Sequence, residues 1–420
     1  MRSLAERLAE LDRTSIDEIS RSLIVVSPDN FVERPWAGQA LGRYKSVPID
    51  GIVRFGECFE LCADRRDAEA AGHPSRVVLA DGSTIDLPNL LGLAPEQLLG
   101  AAITAKHGAN LPLLPKTLSV AELLSIQAHP PGYTEAYIIL DADPGATIFL
   151  GFRCDVDRAR LAARFADGRK MQCDLLAQFD VANAGERLQS LLSGYFADPT
   201  VDADTAAQTL CSAFDEATSA TVIKSTLVEL KQIYWEALET MNRLEVMSGD
   251  VIHNATPLRL HQTSAPRSAE IHALGNPEGR EILALEVRKP ATTYRAWDNV
   301  RFPLRPLAID DTLGAVNLRQ TQRDDFFVEP KPIEPGVSAS IDDPSFSVHH
   351  LRPDGFAVVR PSSPIARTLH AVAGELTLST AGDRPLGTLR QGQSALLPPG
   401  VGQYTVCGTN AELIEVTPRP

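Results

Sequence analysis

The sequence has no Cys-x-x-Cys spacing, no apolar run long enough to span a bilayer, and no surplus of basic residues. Its six cysteines (Cys58, Cys62, Cys154, Cys173, Cys211 and Cys407) are scattered, which predicts reduced thiols in a cytoplasmic protein rather than a disulfide framework. The formal net charge of −14 excludes nucleic acid and anionic membranes as general partners, so any anionic ligand needs a local patch of Lys or Arg. The N-terminus, MRSLAERLAELDRTSIDEISRSL, carries charges throughout and has no apolar core of a signal peptide. Aromatic residues make up only 6%, against 44% apolar and 22% charged, the balance of an ordinary globular chain. A length of 420 residues allows two or three domains and a large core.

Punctuation divides the chain. Residues 1–29 read as an N-terminal helical segment, with Leu4, Leu8 and Leu11 on one stripe. From residue 30 to 155 short apolar runs alternate with Gly, Pro and Asp, an all-β signal. Residues 156–245 hold Pro199 as their only proline, although the chain has 30. There Ile223, Leu227, Leu230, Tyr234, Leu238 and Met241 recur at helical spacing, so this part reads as a helical insertion whose stripe, with Trp235 beside it, is core. Strand character returns over 246–320, and Pro330, Pro332 and Pro335 mark 321–345 as an extended linker. Residues 346–420 read as a second β-domain.

The richest stretch is LPLLPKTLSVAELLSIQAHPPGYTEAYIIL, residues 111–140. Gln127 and His129 lie two apart in a predicted strand, so both leave one face. Pro130, Pro131 and Gly132 predict a turn, after which a second strand begins with Glu135. A hairpin of this kind returns Glu135 to His129. An amide oxygen, an imidazole and a carboxylate converging on one point suit zinc with one position left open. Taken alone, a Gln-x-His pair in a strand is a hydrogen-bonding pair; the surrounding segments decide otherwise.

Those segments run in a consistent order: RPWAGQAL, GECFEL, LPLLPKTLSVAELLSIQAHP, TEAYIIL, PGATIFLGF, LEVRKPATTYRAWDNVR and RPLAIDDTLGAVN. Together they resemble the type I phosphomannose isomerases over roughly residues 31–317. The resemblance implies a mainly β fold: a cupin (double-stranded β-helix) catalytic domain formed by 30–155 and 246–320, with the helical insertion between its halves. It implies a second cupin-like domain at the C-terminus, where Gly392, Pro398 and Gly400 match a cupin motif. Gln403 stands in that motif where a histidine ligand belongs, so this second domain is expected to bind no metal. The family interconverts mannose 6-phosphate and fructose 6-phosphate with one zinc ion.

By the same resemblance, Gln127, His129 and Glu135 are metal ligands and His272, in EIHALG, is the fourth. His253 and His261 are its rivals, because the segment after Gly249-Asp250 is longer than in the family. Isolated histidines such as His73, His107, His349, His350 and His370 are expected to be ordinary hydrogen-bonding residues. Arg295 matches the active-site arginine, Glu286 a proton-transfer group near the metal, and Lys116 a catalytic lysine; Ser125, on the face of Gln127, is expected to bind substrate. Two positions depart from the family. Tyr133 replaces a lysine two before the ligand glutamate, and Ala291 replaces an acidic residue four before the arginine. These departures leave a second reading open, a zinc cupin that binds sugars without turnover. An iron-dependent oxygenase is disfavoured because Gln127 stands where such enzymes place histidine. No glycine-rich nucleotidyltransferase signature is present, so a fused guanylyltransferase activity is not expected. The expected partner is a small sugar phosphate; monomer and homodimer are both open.

Overall fold

The computed structural model describes residues 13–48, 53–66, 68–79, 82–179, 184–197, 200–214, 220–261, 266–299 and 301–420. The predicted stripe Leu4, Leu8 and Leu11 lies outside these residues; the described part of the N-terminal helix is Arg13–Ile19. The fold is mainly β, built from two pairs of facing antiparallel sheets and a small two-stranded sheet, Arg76–Val78 with Thr84–Asp86. No described helix is long and apolar enough to cross a membrane, and the six cysteines form no disulfide.

The first pair holds the candidate site. One sheet has five strands in the order Met241–Glu245, Thr147–Phe152, His272–Ala273, Ile126–Ala128, Tyr294–Trp297. The other has six, in the order Val251–Asn254, Glu135–Ala142, Ile282–Arg288, Lys116–Val120, Phe55–Phe59, Phe31–Glu33. Alternation along each strand assigns every residue to one of two faces. Leu118, Tyr137, Ile139 and Ala284 of the six-stranded sheet meet Ile148, Leu150 and Leu244 of the five-stranded sheet in the interior. Phe149, Met241, Ala273 and, past a bulge after Arg295, Trp297 point the other way. They are covered by the helices Arg158–Leu176, Ala184–Ala197, Ala203–Phe214 and Ala220–Glu239. The predicted stripe Ile223, Leu227, Leu230, Tyr234 and Leu238 is buried there. Met241 is buried too, but from the first position of a strand, since the helix ends at Glu239.

Ala136, Ile138, Leu285 and Val287, on the outer face of the six-stranded sheet, pack against three short helices and the C-terminal domain. Those helices, Leu87–Leu93, Pro95–Leu99 and Ala101–His107, lie inside the segment expected to be all β. Pro88 and Pro95 caused the misreading. Both look like strand punctuation, yet each occupies the first turn of a helix, where a missing N–H costs nothing.

The second pair comprises seven strands, Ile24–Val25, Ser394–Leu397, Arg367–Ala373, Glu412–Pro418, Phe346–Leu351, Val337–Asp342 and Lys331–Glu334, and a four-stranded partner. The expected linker 321–345 is therefore not a free connector. It is extended, but Lys331–Glu334 and Val337–Asp342 pair into this sheet. Pro332 is tolerated because its strand is the edge, where one side of the backbone needs no partner. Gln403 is exposed just before the strand Tyr404–Gly408.

Candidate metal centre and its cavity

Register brings the site together. In the five-stranded sheet Gln127 lies directly across from His272 on one side and from Arg295 on the other. Their chain neighbours Ile126, Ala273 and Ala296 are in the outer core, so all three side chains face the interior. In the facing sheet Lys116 is paired with Glu286, and Glu286 with Tyr137; the next row runs Asn254, Glu135, Arg288. These alternate with Ala136, Leu285 and Val287 of the outer face and therefore point inward as well. A cavity of about 130 Å³ opens between the two rows, lined among others by Lys116, Ser125, Gln127, His129, Glu286 and Arg295.

His129, Glu135 and His272 each offer a ligand atom here, all within 4.8 Å of one another, and all three are buried. The predicted convergence of His129 and Glu135 is present, but its cause differs. Ile126–Ala128 and Glu135–Ala142 do not pair as a hairpin; they belong to opposite sheets. The turn at Pro130–Gly132, with Gly132 at a φ of 86°, carries the chain across the gap between sheets. Glu135 thus reaches His129 face to face.

Both imidazoles are set by backbone carbonyls. His129 Nδ1 donates to Thr292 O at 3.1 Å, and His272 Nδ1 donates to Glu270 O at 2.9 Å. In the neutral rings each Nε2 then presents a lone pair to the interior, the arrangement of metal-binding histidines. His129 Nε2 touches Glu135 Oε1. A buried carboxylate between two imidazoles is a ligand set that a cation can occupy. His272 Nε2 lies 3.5 Å from Glu135 Oε2 and 3.2 Å from the Gln127 amide nitrogen. Ser125 Oγ bonds the Gln127 amide oxygen at 2.9 Å. Because a hydroxyl both donates and accepts, Ser125 can hold that amide in either orientation, including the one that turns its oxygen toward the histidines. The donor set, two imidazoles, one carboxylate and one amide, fits zinc.

Electrostatics separates the carboxylates. Burial pushes the Glu135 carboxyl up, but His129, His272 and Arg288 outweigh it and hold the group well below the usual range. Burial likewise lowers His272, against the pull of Glu135, and so favours the neutral ring a metal requires. Glu286 is pushed up to about 7 by burial and by the Glu135 charge, with Arg288 and Lys116 opposing. Tyr137 hydroxyl donates to Glu135 Oε2, and burial beside that carboxylate keeps the phenol protonated.

Of the rival histidines, His253 is paired with Ala136, an outer-face residue, and contacts Asp343 at 3.2 Å. It faces away from the cavity. His261 is not part of the cluster either. His350 and His370 are hydrogen-bonded inside the C-terminal sheet, as expected for ordinary histidines. Tyr133 and Ala291 line a different pocket, described below.

Several participants were not singled out from the sequence. Arg288 is buried 3.5 Å from Glu286, Glu57 bonds Arg34 at 2.6 Å and lies 3.7 Å from Lys116, and Asn254 accepts from Glu270 N at 2.8 Å. Strand parity was the available signal for Arg288, which shares a face with Glu286, and for Tyr137, which shares one with Glu135.

Residues 71–146 match the family model described as the catalytic domain of phosphomannose isomerase type I. No curated protein matches the chain. Among solved structures it is similar to the mannose 6-phosphate isomerase from Bacillus subtilis, with 19% identity, TM-score 0.62, and coverage of 94% of this chain and 99% of that one. A mutant phosphomannose isomerase from Salmonella typhimurium gives 17% identity and TM-score 0.61, covering 96% and 100%. A zinc-bound mannose 6-phosphate isomerase gives 17% and 0.60, covering 95% and 99%. Residues 71–146 thus match the catalytic domain of the type I phosphomannose isomerases, and the chain as a whole shares its fold with these solved structures.

Proposed function

We propose that the protein is a zinc-dependent aldose–ketose isomerase that interconverts mannose 6-phosphate and fructose 6-phosphate or a related sugar. The observation that carries this reading is the buried cluster of His129, Glu135 and His272, whose ligand atoms all lie within 4.8 Å of one another. Gln127, His129, Glu135 and His272 would hold one zinc ion per chain. When bound, zinc supplies a Lewis acid for the sugar oxygens or fixes their orientation. Both two-sheet domains are read as cupins, the catalytic one formed by residues 30–155 and 246–320.

The remaining groups would do the protein chemistry. Moving a proton between C1 and C2 needs a group that can take it up and return it near neutral pH, and Glu286 at about 7 suits that task. Lys116, directly across from Glu286, favours its ionised form. Arg295 supplies a fixed positive charge for the oxyanion that develops as the proton leaves carbon. Ser125 would act on substrate indirectly, by orienting Gln127.

A coupled assay with mannose 6-phosphate, run beside metal analysis of the purified protein, tests the reading. Turnover that falls on chelation and returns with zinc is the expected result. Tyr133 and Ala291, uncharged where the family is charged, favour a zinc-binding sugar receptor as the second reading. Zinc-loaded protein that binds the sugar phosphate without converting it would establish that alternative.

A further inference from the structure

Behind the metal cavity lies a second pocket of about 560 Å³, lined by Arg66, Lys106, His107, Tyr133, Lys289 and Ala291 among others. The two share a wall. Thr292 lines this pocket while Thr293 lines the metal cavity, and Pro130 and His129 divide in the same way. The Thr292 carbonyl that fixes the His129 ring belongs to that wall.

We propose that this pocket binds a dianionic phosphate group through Lys106 and Lys289, with Arg66 and His107 at its margin. Three elements that are distant in sequence bring cations here, in a chain whose net charge is −14. Lys106 and His107 end the helix Ala101–His107, whose C-terminal carbonyls favour positive charge. Lys289 follows the strand Ile282–Arg288 and lies over the Tyr133 ring, 5.9 Å from its centre.

The nearby carboxylates are already engaged. Asp64 takes Arg66 in two hydrogen bonds, 2.9 and 2.5 Å long. Asp343, the acidic group acting on Lys289, is held by His253 and by the Ser345 amide. Among the described residues no carboxylate forms an ion pair with Lys106 or Lys289. The cations consequently act on each other: burial and Lys106 lower Lys289, and burial with Arg66, Lys106 and Lys289 lowers His107. A bound dianion would relieve that repulsion. This arrangement gives the chain an anion site next to the position where Tyr133 has removed a charge. It rests on the isomerase reading only where the phosphate is the substrate's own.

The test is calorimetric titration of the zinc-loaded protein with inorganic phosphate, for the wild type, Lys106→Gln, Lys289→Gln and the double variant. One phosphate per chain is expected, weakened at least tenfold in the double variant and less in each single one, with zinc content and Tm unchanged. Competition between inorganic phosphate and the sugar phosphate would assign the pocket to the substrate's phosphate. Binding without competition would assign it to a free anion, and both results support the site. Protein that lacks isomerase activity yet binds phosphate through these lysines would remove the isomerase reading and keep the pocket. Absence of binding, or equal affinity in wild type and double variant, would overturn the proposal.

Discussion

Each of the two β-domains buries a glutamate on an inner face, and the protein treats the two in opposite ways. Glu415, in the C-terminal domain, is almost wholly enclosed. It accepts from Arg360 at 2.7 Å and from the Tyr404 hydroxyl, with Arg367 at 3.3 Å and His349 at 3.4 Å. Burial raises its carboxyl, but His349, Arg367 and Arg360 outweigh that and hold it far below the usual range. Glu135 is equally enclosed, but two of its neighbours are histidines, His129 and His272, whose ligand atoms lie within 4.8 Å of its own. A charge buried for structure is neutralised by permanent cations of the chain. The cluster around Glu135 is one that a cation from outside can also occupy.

Replacing Glu286 should have the largest effect. Glu286→Gln cannot exchange a proton, so kcat should fall by roughly 10²–10⁴-fold. In the wild type, kcat/KM should rise with pH through an apparent pKa near 7, as Glu286 ionises, and this limb should be missing in the variant. A retained limb at 7 would assign the titration elsewhere.

On the structural side of the contrast, Glu415→Gln leaves Arg367 buried without its counter-charge and Arg360 with Glu334 alone. The expected cost is about 3–5 kcal/mol of stability, with zinc content unaltered. The sign with pH follows from the depressed carboxyl. Its stabilisation is complete above the unfolded value near 4.5 and is lost as pH falls below that toward the folded value. Thermal melts of wild type and variant should therefore converge in acid and separate at neutral pH.

Arg295→Ala sharpens the functional side. Loss of a preorganised charge near the developing oxyanion typically costs on the order of 10²–10³ in kcat. Zinc content and Tm should stay at wild-type levels; loss of either would make this arginine structural.

A further contrast concerns Glu270, which belongs to neither class. It is buried, and burial pushes it up to about 8 against the opposing pull of Thr256 and Asn317. Folding therefore retains a proton that the unfolded chain releases above about 4.5, so its contribution to stability falls as pH rises between those values. The slope is at most about 1.4 kcal/mol per pH unit. Glu270→Gln should raise Tm at pH 8 relative to wild type and leave it nearly unchanged at pH 5.

Local rules made part of this molecule legible. Parity along a strand put Gln127 and His129 on one face, Pro130–Gly132 announced the reversal, and the proline-poor stretch announced helices. Local rules also misled wherever one residue type serves two structures, as with Pro88 and Pro95 opening helices and Pro332 lying in an edge strand. What only the tertiary structure decided is which distant residues meet. Glu135 reaches His129 across facing sheets, and His272, 145 residues after Gln127, lies beside it in register. Arg288 and Asn254 enter the site, and His253 leaves it, by the parity of strands whose pairing no short segment specifies. Side-chain direction is set by φ and ψ within a few residues; sheet register is set by burial of both faces at once, a property of the whole chain.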